Sequence, residues 1–506
     1  MIAFLDWLNG ILWGVPLIAL MIITGLYFTI RSGFFQFRHF GWILKHTVGT
    51  LAQKDTKVTD DKKVISPFEA ICTAVGGTVG FGNIAGVATA VASGGPGAVL
   101  WMWLTSFLGL ILKQVEVTLG CYYRETNNNG EKFGGPTYYM QKGLGEQRHW
   151  GNKWKILAVI FGIGIFSTFF ITSSNLTASE VVAGAFNFNS ITVSGYFIDG
   201  RIVVGALLCL ATYIITAGGT KGVASIFSKL VPFMSIAYII MGILMIIVNI
   251  NAVPNAFSMI FTNAFTGTAA VGGFAGAAVS KIIQTGMARS VYSNEAGWGT
   301  SPMIHSSADT PHPIEQGLWG SFEVFFDTFI VCSITALSVI LSGTWADGAT
   351  GGALALSAFN QSFGTVGSIL LAIIMVIFTI TTSGGWFTYY LAILEHINMK
   401  KTRFSELLIK AFYAVRSLPG LLWTIYLVHA QNTGFIWTVV DITSAIPTFV
   451  NVFVILLLSN EYFRLLKDYK ARYMGIGEVD DNTVLFYEDK KVELPVTCKC
   501  RSGKEE

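Results

Sequence analysis

The sequence predicts an all-α polytopic membrane protein with about eleven transmembrane helices, and three observations carry that expectation. Hydrophobic residues make up 52% of the chain and charged residues only 12%, where a soluble domain carries about 25% charged residues. Apolar stretches recur that are long enough to cross ~30 Å of hydrocarbon at ~1.5 Å per residue. The basic residues between them fall in alternate loops.

The stretches lie near 10–30, 66–93, 96–123, 154–186, 201–217, 222–249, 255–290, 316–342, 365–395, 405–428 and 432–458. The first is preceded by Asp6 and no positive charge, and no small-residue cleavage pattern follows it, so it reads as a membrane helix rather than a cleaved signal. The loop after it carries Arg31, Arg38, Lys45, Lys54, Lys57, Lys62 and Lys63. Its aromatic residues Phe34, Phe35, Phe37, Phe40 and Trp42 suit a segment lying on the inner membrane surface. The second stretch holds Gly76, Gly77, Gly80, Gly82 and Gly86. Glycine costs roughly 1 kcal/mol against Ala inside a helix, so the backbone is expected to leave the helix around Val79, Phe81 and Asn83. Open backbone at that depth is tolerable only where it lines a cavity or a ligand site. Unwound helices at the midplane are a common way to hold substrate and ions in secondary transporters.

The third stretch carries Lys113 and Glu116 and the eighth Glu323 and Asp327. Each pair is expected to snorkel or to pair near the cytoplasmic surface, although ionisable residues within spans also mark functional sites. The basic loop after the third stretch runs from Arg124 to Lys155. Lys221 follows the fifth stretch, Lys400, Lys401 and Arg403 the ninth, and Arg464, Lys467, Lys470 and Arg472 the eleventh. The alternate loops are nearly bare, with only Asp347 in 343–364. The positive-inside rule then puts the N-terminus outside and the tail in the cytoplasm. The tail, 459–506, is charged, short of apolar period and expected to lack structure. The seventh stretch is long, glycine-rich and broken.

The net charge of +3 gives no reason to expect nucleic acid, and nothing marks an obligatory protein partner beyond the surrounding membrane lipid. Cys72, Cys121, Cys209 and Cys332 lie in or beside apolar spans and do not form a disulfide framework. Cys498 and Cys500 supply half of the four ligands a structural zinc site needs. No span contains a nucleophile–base pair, a metal-spaced histidine cluster or a phosphate loop, and His305 and His312, flanking Asp309, read as solvated loop residues. These features argue against an enzyme.

Two motifs carry a resemblance. The run Thr78-Val79-Gly80-Phe81-Gly82-Asn83-Ile84-Ala85-Gly86, continued by Gly94-Gly95-Pro96-Gly97 and Trp101-Met102-Trp103, is one. The run Ser293-Asn294-Glu295-Ala296-Gly297-Trp298-Gly299-Thr300-Ser301-Pro302 is the other. Together they resemble the alanine/glycine:cation symporter family. The resemblance implies sodium-coupled uptake of small neutral amino acids (alanine, glycine, serine or glutamine) across the plasma membrane, the bacterial inner membrane. It also implies a fold like the neurotransmitter:sodium symporters, a LeuT-like 5+5 inverted repeat with an extra N-terminal helix. On that pattern 1–65 is the peripheral helix and basic loop, 66–250 the first repeat, 251–458 the second and 459–506 the tail. The chain departs from the family at Phe81, where a small or hydroxylated residue is usual, and at Ser173, where a Gln would precede Asn175 by two residues. An uncoupled or proton-coupled amino acid transporter and an amino acid sensor are the alternatives.

In this reading the N–H groups of Gly80, Phe81, Gly82 and Asn83 meet the substrate carboxylate at a helix start. Thr78, Ser173, Asn175, Gly276 and Trp386 complete the substrate contacts, with Trp386 and Phe81 as an apolar wall. Sodium is the cofactor ion. One site takes the Thr78 carbonyl and the Asn83 amide oxygen, and a second takes carbonyls of Gly76 and Val79 with hydroxyls of Thr381 and Thr382. Competing readings stay open. Glycines also serve close helix packing, helical threonines bond their own backbone, and Trp386 is also explained as ordinary core. Arg289, Asn294 and Glu295 are expected at a cytoplasmic gate or helix cap.

Overall fold

The computed structural model describes residues 2–50, 64–127, 130–193, 196–266, 279–399, 401–430 and 436–492. The chain enters through α1 (Ile2–Leu12) and α2 (Val15–Arg31), followed by two short helices, α3 (Phe35–Arg38) and α4 (Phe40–His46). Phe35 and Ile43 are buried in the protein while Phe34 and Phe37 stay exposed, so the loop only partly faces outward as its aromatics suggest.

Helix α5 (Pro67–Thr78) starts from a capping box. Ser66 Oγ accepts the Glu69 N–H at 3.2 Å, the Glu69 carboxylate accepts the Ser66 N–H at 2.8 Å, and Pro67 occupies the first turn. The helix stops at Val79, resumes as a π-helical turn over Gly82–Gly86 and continues as α6 (Val87–Gly94), bent by 44°. Helix α7 (Ala98–Tyr122) leads to a small hairpin, β1 (Glu125–Thr126) with β2 (Lys132–Phe133), and to α8 (Pro136–Tyr139). Helices α9 (Trp154–Phe170) and α10 (Ser174–Ala185) are divided by a break at Ile171–Ser173. A second antiparallel hairpin, β3 (Ser190–Val193) with β4 (Tyr196–Asp199), opens α11 (Gly200–Ile215). Helix α12 (Gly219–Val248) presents Phe233, Ile236, Ile240, Leu244 and Ile247 as an exposed apolar stripe at helical period, which is a lipid-facing surface.

Helices α13 (Val253–Thr266) and α14 (Val279–Asn294) flank residues outside the described set. The expected contact at Gly276 lies there. After α14 come α15 (Ser301–His305), α16 (Pro313–Val324), a π-helical turn over Phe325–Cys332, and α17 (Ser333–Ser342). Helix α18 (Gly351–Asn398) is two helices meeting at Gly364, which takes φ 61°. Its first part lies in 343–364, read from the sequence as a loop between spans; Leu354, Ala355, Ala358 and Phe359 repeat there at helical spacing and are buried. Helices α19 (Arg403–Val415) and α20 (Leu418–Ala430) bend by 51°. The chain ends with α21 (Ile436–Leu457) and α22 (Ser459–Met474).

Among the described residues, seven helices are long and apolar enough to cross a membrane, or nine if each bent pair is one span. One apolar run, Gly200–Val248, has 49 residues, more than two crossings need, and turns at Gly219 with φ +64°. It therefore holds two helices. The broken α5–α6 segment packs between α12 and α18, and α7 against α14 and α16.

The tail differs from expectation. Tyr462, Leu465, Leu466 and Tyr469 form a buried face on α22, hidden in the sequence by interleaved charges. Beyond it the chain returns to the end of α7. Arg124 lies 4.1 Å from the Phe486 ring centroid and 3.7 Å from Glu488, and Tyr487 donates to Glu146 at 3.1 Å. Arg124 also donates to the Ala308 carbonyl at 2.9 Å, and Ala308 bridges to Ile65 just before α5.

Candidate functional site

The break after α5 has a local cause. The Gly80 N–H, which would continue the helix onto the Gly76 carbonyl, is donated to Asn83 Oδ1 at 2.9 Å, and Val79 takes an extended conformation (ψ 98°). Gly76 loses its usual helical donor, and Phe81 and Gly82 open the next turn with N–H groups that make no backbone hydrogen bond to the turn before. Thr382 of α18 abuts the break. A Cβ on Gly80 would lie 1.9 Å from Thr382 Oγ1, so only glycine fits there. That hydroxyl is buried and makes no hydrogen bond among the described residues.

A cavity of about 90 Å³ adjoins the break. Of the expected residues it brings together Thr78, Phe81, Gly82, Asn175, Thr382 and Trp386. Asn175 donates to the Gly205 carbonyl at 3.2 Å and leaves Oδ1 buried and unpartnered among the described residues. Trp386 sits edge-on to Trp298, with centroids 5.1 Å apart, and Phe81 edge-on to Tyr292 at 6.1 Å.

Other expected residues are placed differently. Ser173 lines a second cavity, while its neighbours Thr172 and Ser174 line the central one. Thr381 gives its hydroxyl to the Ile377 and Phe378 carbonyls at 3.0 and 3.1 Å and faces Met234, away from the cavity. The Thr78 hydroxyl likewise returns to the Ala74 carbonyl, at 3.1 Å. Gly76 and Gly77 lie against Phe227 and Tyr389, so the close-packing role is present as well. Asn83 is wholly buried and donates through Nδ2 to Asp327 at 2.6 Å.

Asp327, expected to snorkel or pair near the cytoplasmic surface, is instead wholly buried. Ser293 and Thr328 each donate to it at 2.9 Å, so the carboxylate collects donors from the broken segment, α14 and its own π-helical turn. Its spacing from Glu323 suggested an i,i+4 pair, but Glu323 turns to Lys113 at 3.4 Å and Ser301 at 2.8 Å. Lys113 does not snorkel. It is fully buried and donates at 2.8 Å to the Asn294 carbonyl, at the C-terminal end of α14, where a cation is favoured. Glu116 does not pair with Lys113; it accepts from Asn451 at 2.8 Å. His305 and His312 are buried rather than solvated.

The second motif forms the turn after α14. Gly297 and Gly299 adopt φ +86° and +83°, and a Cβ on Gly299 would meet Pro136 at 2.7 Å and Asn451 at 2.9 Å. The turn carries Trp298 and Glu295 to the cavity wall, so Glu295 is a lining residue rather than only a cap. Arg289 pairs with Asp441 of α21 at 2.8 Å, with both side chains buried.

Residues 1–479 match the model of the sodium:alanine symporter family. The chain belongs to this family. It is 34% identical over 433 residues to the sodium/alanine symporter AgcS of Methanococcus maripaludis, covering 84% of this chain and 90% of that one. It is 32% identical over 462 residues to the probable sodium/glutamine symporter GlnT of Bacillus subtilis, covering 91% and 89%. A solved structure of MhsT in complex with L-phenylalanine superposes with a TM-score of 0.53 at 16% identity, covering 79% of this chain and 90% of that one. The last likeness concerns the fold, which is that of LeuT-like transporters. This family member is therefore a multi-pass membrane transporter and not an enzyme.

Proposed function

We propose that the protein imports a small neutral amino acid together with sodium by alternating access. The observation that carries the reading is the break at Val79–Gly80, propped by Asn83 and faced by the Thr382 hydroxyl, unpartnered among the described residues, beside a cavity. The N–H groups of Phe81 and Gly82 receive the substrate carboxylate, and Asn175 Oδ1 and the Glu295 carboxylate are the nearby acceptors for its ammonium. Phe81, Trp298 and Trp386 limit the side chain. The names of AgcS and GlnT bracket the cargo between alanine and glutamine.

One sodium takes the Gly76 and Val79 carbonyls with Thr382. The other takes the Thr78 carbonyl and Asn83, with Asp327 supplying the compensating charge. Several fixed oxygens suit a hard cation. Ion and substrate that share Asn83 and its neighbouring backbone improve each other's binding by the same factor. The 66–250 and 251–458 repeats move about this site, the N-terminus lies outside, and α22 and the tail cover the cytoplasmic face. Arg289–Asp441, on the half of α21 away from α22, closes the outer side.

Uptake of labelled alanine, glycine, serine and glutamine into proteoliposomes, with and without a sodium gradient, tests the reading. Accumulation should follow the sodium gradient. Flux unchanged when potassium replaces sodium would refute coupling, and binding without flux would make the protein a sensor.

A further inference from the structure

Behind the α9–α10 break lies a second cavity of about 600 Å³, walled by α10, the start of α11 and the start of α18. It shares its wall with the central cavity: Ser173 faces this side, and Thr172 and Ser174 face the other. Its polar groups are of both signs. Glu180 is half-buried, and its carboxylate makes no hydrogen bond among the described residues; the one charge acting on it is that of Arg201 across the cavity. Arg201 is held by Asp199 through Nε and Nη2, at 2.9 and 2.8 Å, which fixes the guanidinium and leaves Nη1 available. Thr177 is 5% exposed, lines the cavity and makes no side-chain hydrogen bond among the described residues. Its methyl group is turned towards Gly352, 3.0 Å from where a Cβ would stand. The first turn of α18, Gly351–Ala353, borders the cavity with no side-chain cap on its N–H groups.

A carboxylate partly withdrawn from water, with a guanidinium near enough to act on it but making no direct bond to it, is only partly compensated. It is relieved by a cationic donor, and an inorganic cation would leave Arg201 and the α18 N–H groups unused. A ligand carrying both charges satisfies both sides, since carboxylates are favoured by a guanidinium and by a helix N-terminus. We propose that this cavity is a staging site for the zwitterion of an amino acid, with its ammonium on Glu180 and Thr177 and its carboxylate on Arg201 and the α18 N-terminus. From there the ligand has only the Thr172–Ser174 break to pass. The proposal rests on the amino acid reading of the central cavity and adds a second equivalent of bound cargo.

Equilibrium binding of tritiated alanine and glutamine to the purified full-length protein in sodium tests it, alongside initial-rate uptake. Wild type should bind two equivalents of one of these, and Glu180→Gln and Thr177→Val one each. Both variants should raise the KM for uptake about tenfold with little change in maximal rate. Equal stoichiometry and equal KM in wild type and both variants would overturn the staging site while leaving the parent reading intact. Wild type that binds neither amino acid overturns both. A Glu180→Gln protein that does not fold leaves the decision to Thr177→Val, which keeps every charge.

Discussion

Replacing Thr382 by Val separates the two accounts of its hydroxyl. Valine keeps the shape and removes one buried oxygen that has no partner among the described residues. Leaving a buried hydroxyl unsatisfied costs about 1–3 kcal/mol, so the variant is expected to be more stable than wild type by about 1 kcal/mol in sodium-free buffer. In sodium the sign reverses. A contact to a charged group contributes about 1.5–3 kcal/mol, so its loss should raise half-saturating sodium by about 10- to 100-fold, at ~1.4 kcal/mol per decade. The assay pairs thermal unfolding in nanodiscs across a sodium titration with sodium-dependent uptake. Wild type should gain stability logarithmically with sodium, and the variant should respond only at much higher concentration. A sodium half-saturation within twofold of wild type would show that Thr382 is not a ligand.

Asp327→Asn replaces a charged acceptor of three hydrogen bonds with a neutral one, an expected cost of about 3 kcal/mol in stability together with loss of sodium-dependent stabilisation; a variant that keeps its sodium response removes Asp327 from the ion site. Phe81→Gly opens the cavity wall and should let leucine or methionine compete with alanine uptake at concentrations several-fold lower than in wild type, and an unchanged competition profile refutes the wall. Burial pushes His312 down to about 4, against the opposing pull of Asp468 at 3.3 Å. The unfolded chain, with its histidine near 6.5, then binds more protons between those values. Stability present above pH 6.5 is lost as pH falls towards 4, by up to about 3 kcal/mol, and His312→Gln should flatten that slope in unfolding curves; parallel slopes would refute it.

What was legible in the sequence is what depends on local chemistry. Glycine density around Val79 marks a weak helix whatever surrounds it, and the break falls inside that run. The apolar spans and the turn at Gly297 and Gly299 are likewise local. Partner choice is not. Lys113 sits three residues from Glu116, yet reaches Glu323 and the end of α14, because α7 packs against both α14 and α16. Asp327 reads as a pair with Glu323 on helical spacing, and only the π-helical turn beneath it turns the carboxylate towards Asn83. Thr381 and Thr382 are equivalent as letters; their different directions on α18 send one hydroxyl back to its own helix and the other to Gly80. The face of α22 is obscured because charges are interleaved with it and tyrosines, rather than aliphatic residues, supply half of it.

The docking of the tail on Arg124 has a consequence for biosynthesis. Residues 484–488, which cover Arg124 and the tyrosines at the end of α7, leave the ribosome after the membrane-crossing segments described above. At about 5–20 residues per second, the stretch after α21 takes a few seconds to emerge. During that interval Arg124, which holds the Ala308 carbonyl, has neither Phe486 nor Glu488 over it. A product that stops after α21 has the described spans without this cover over Arg124.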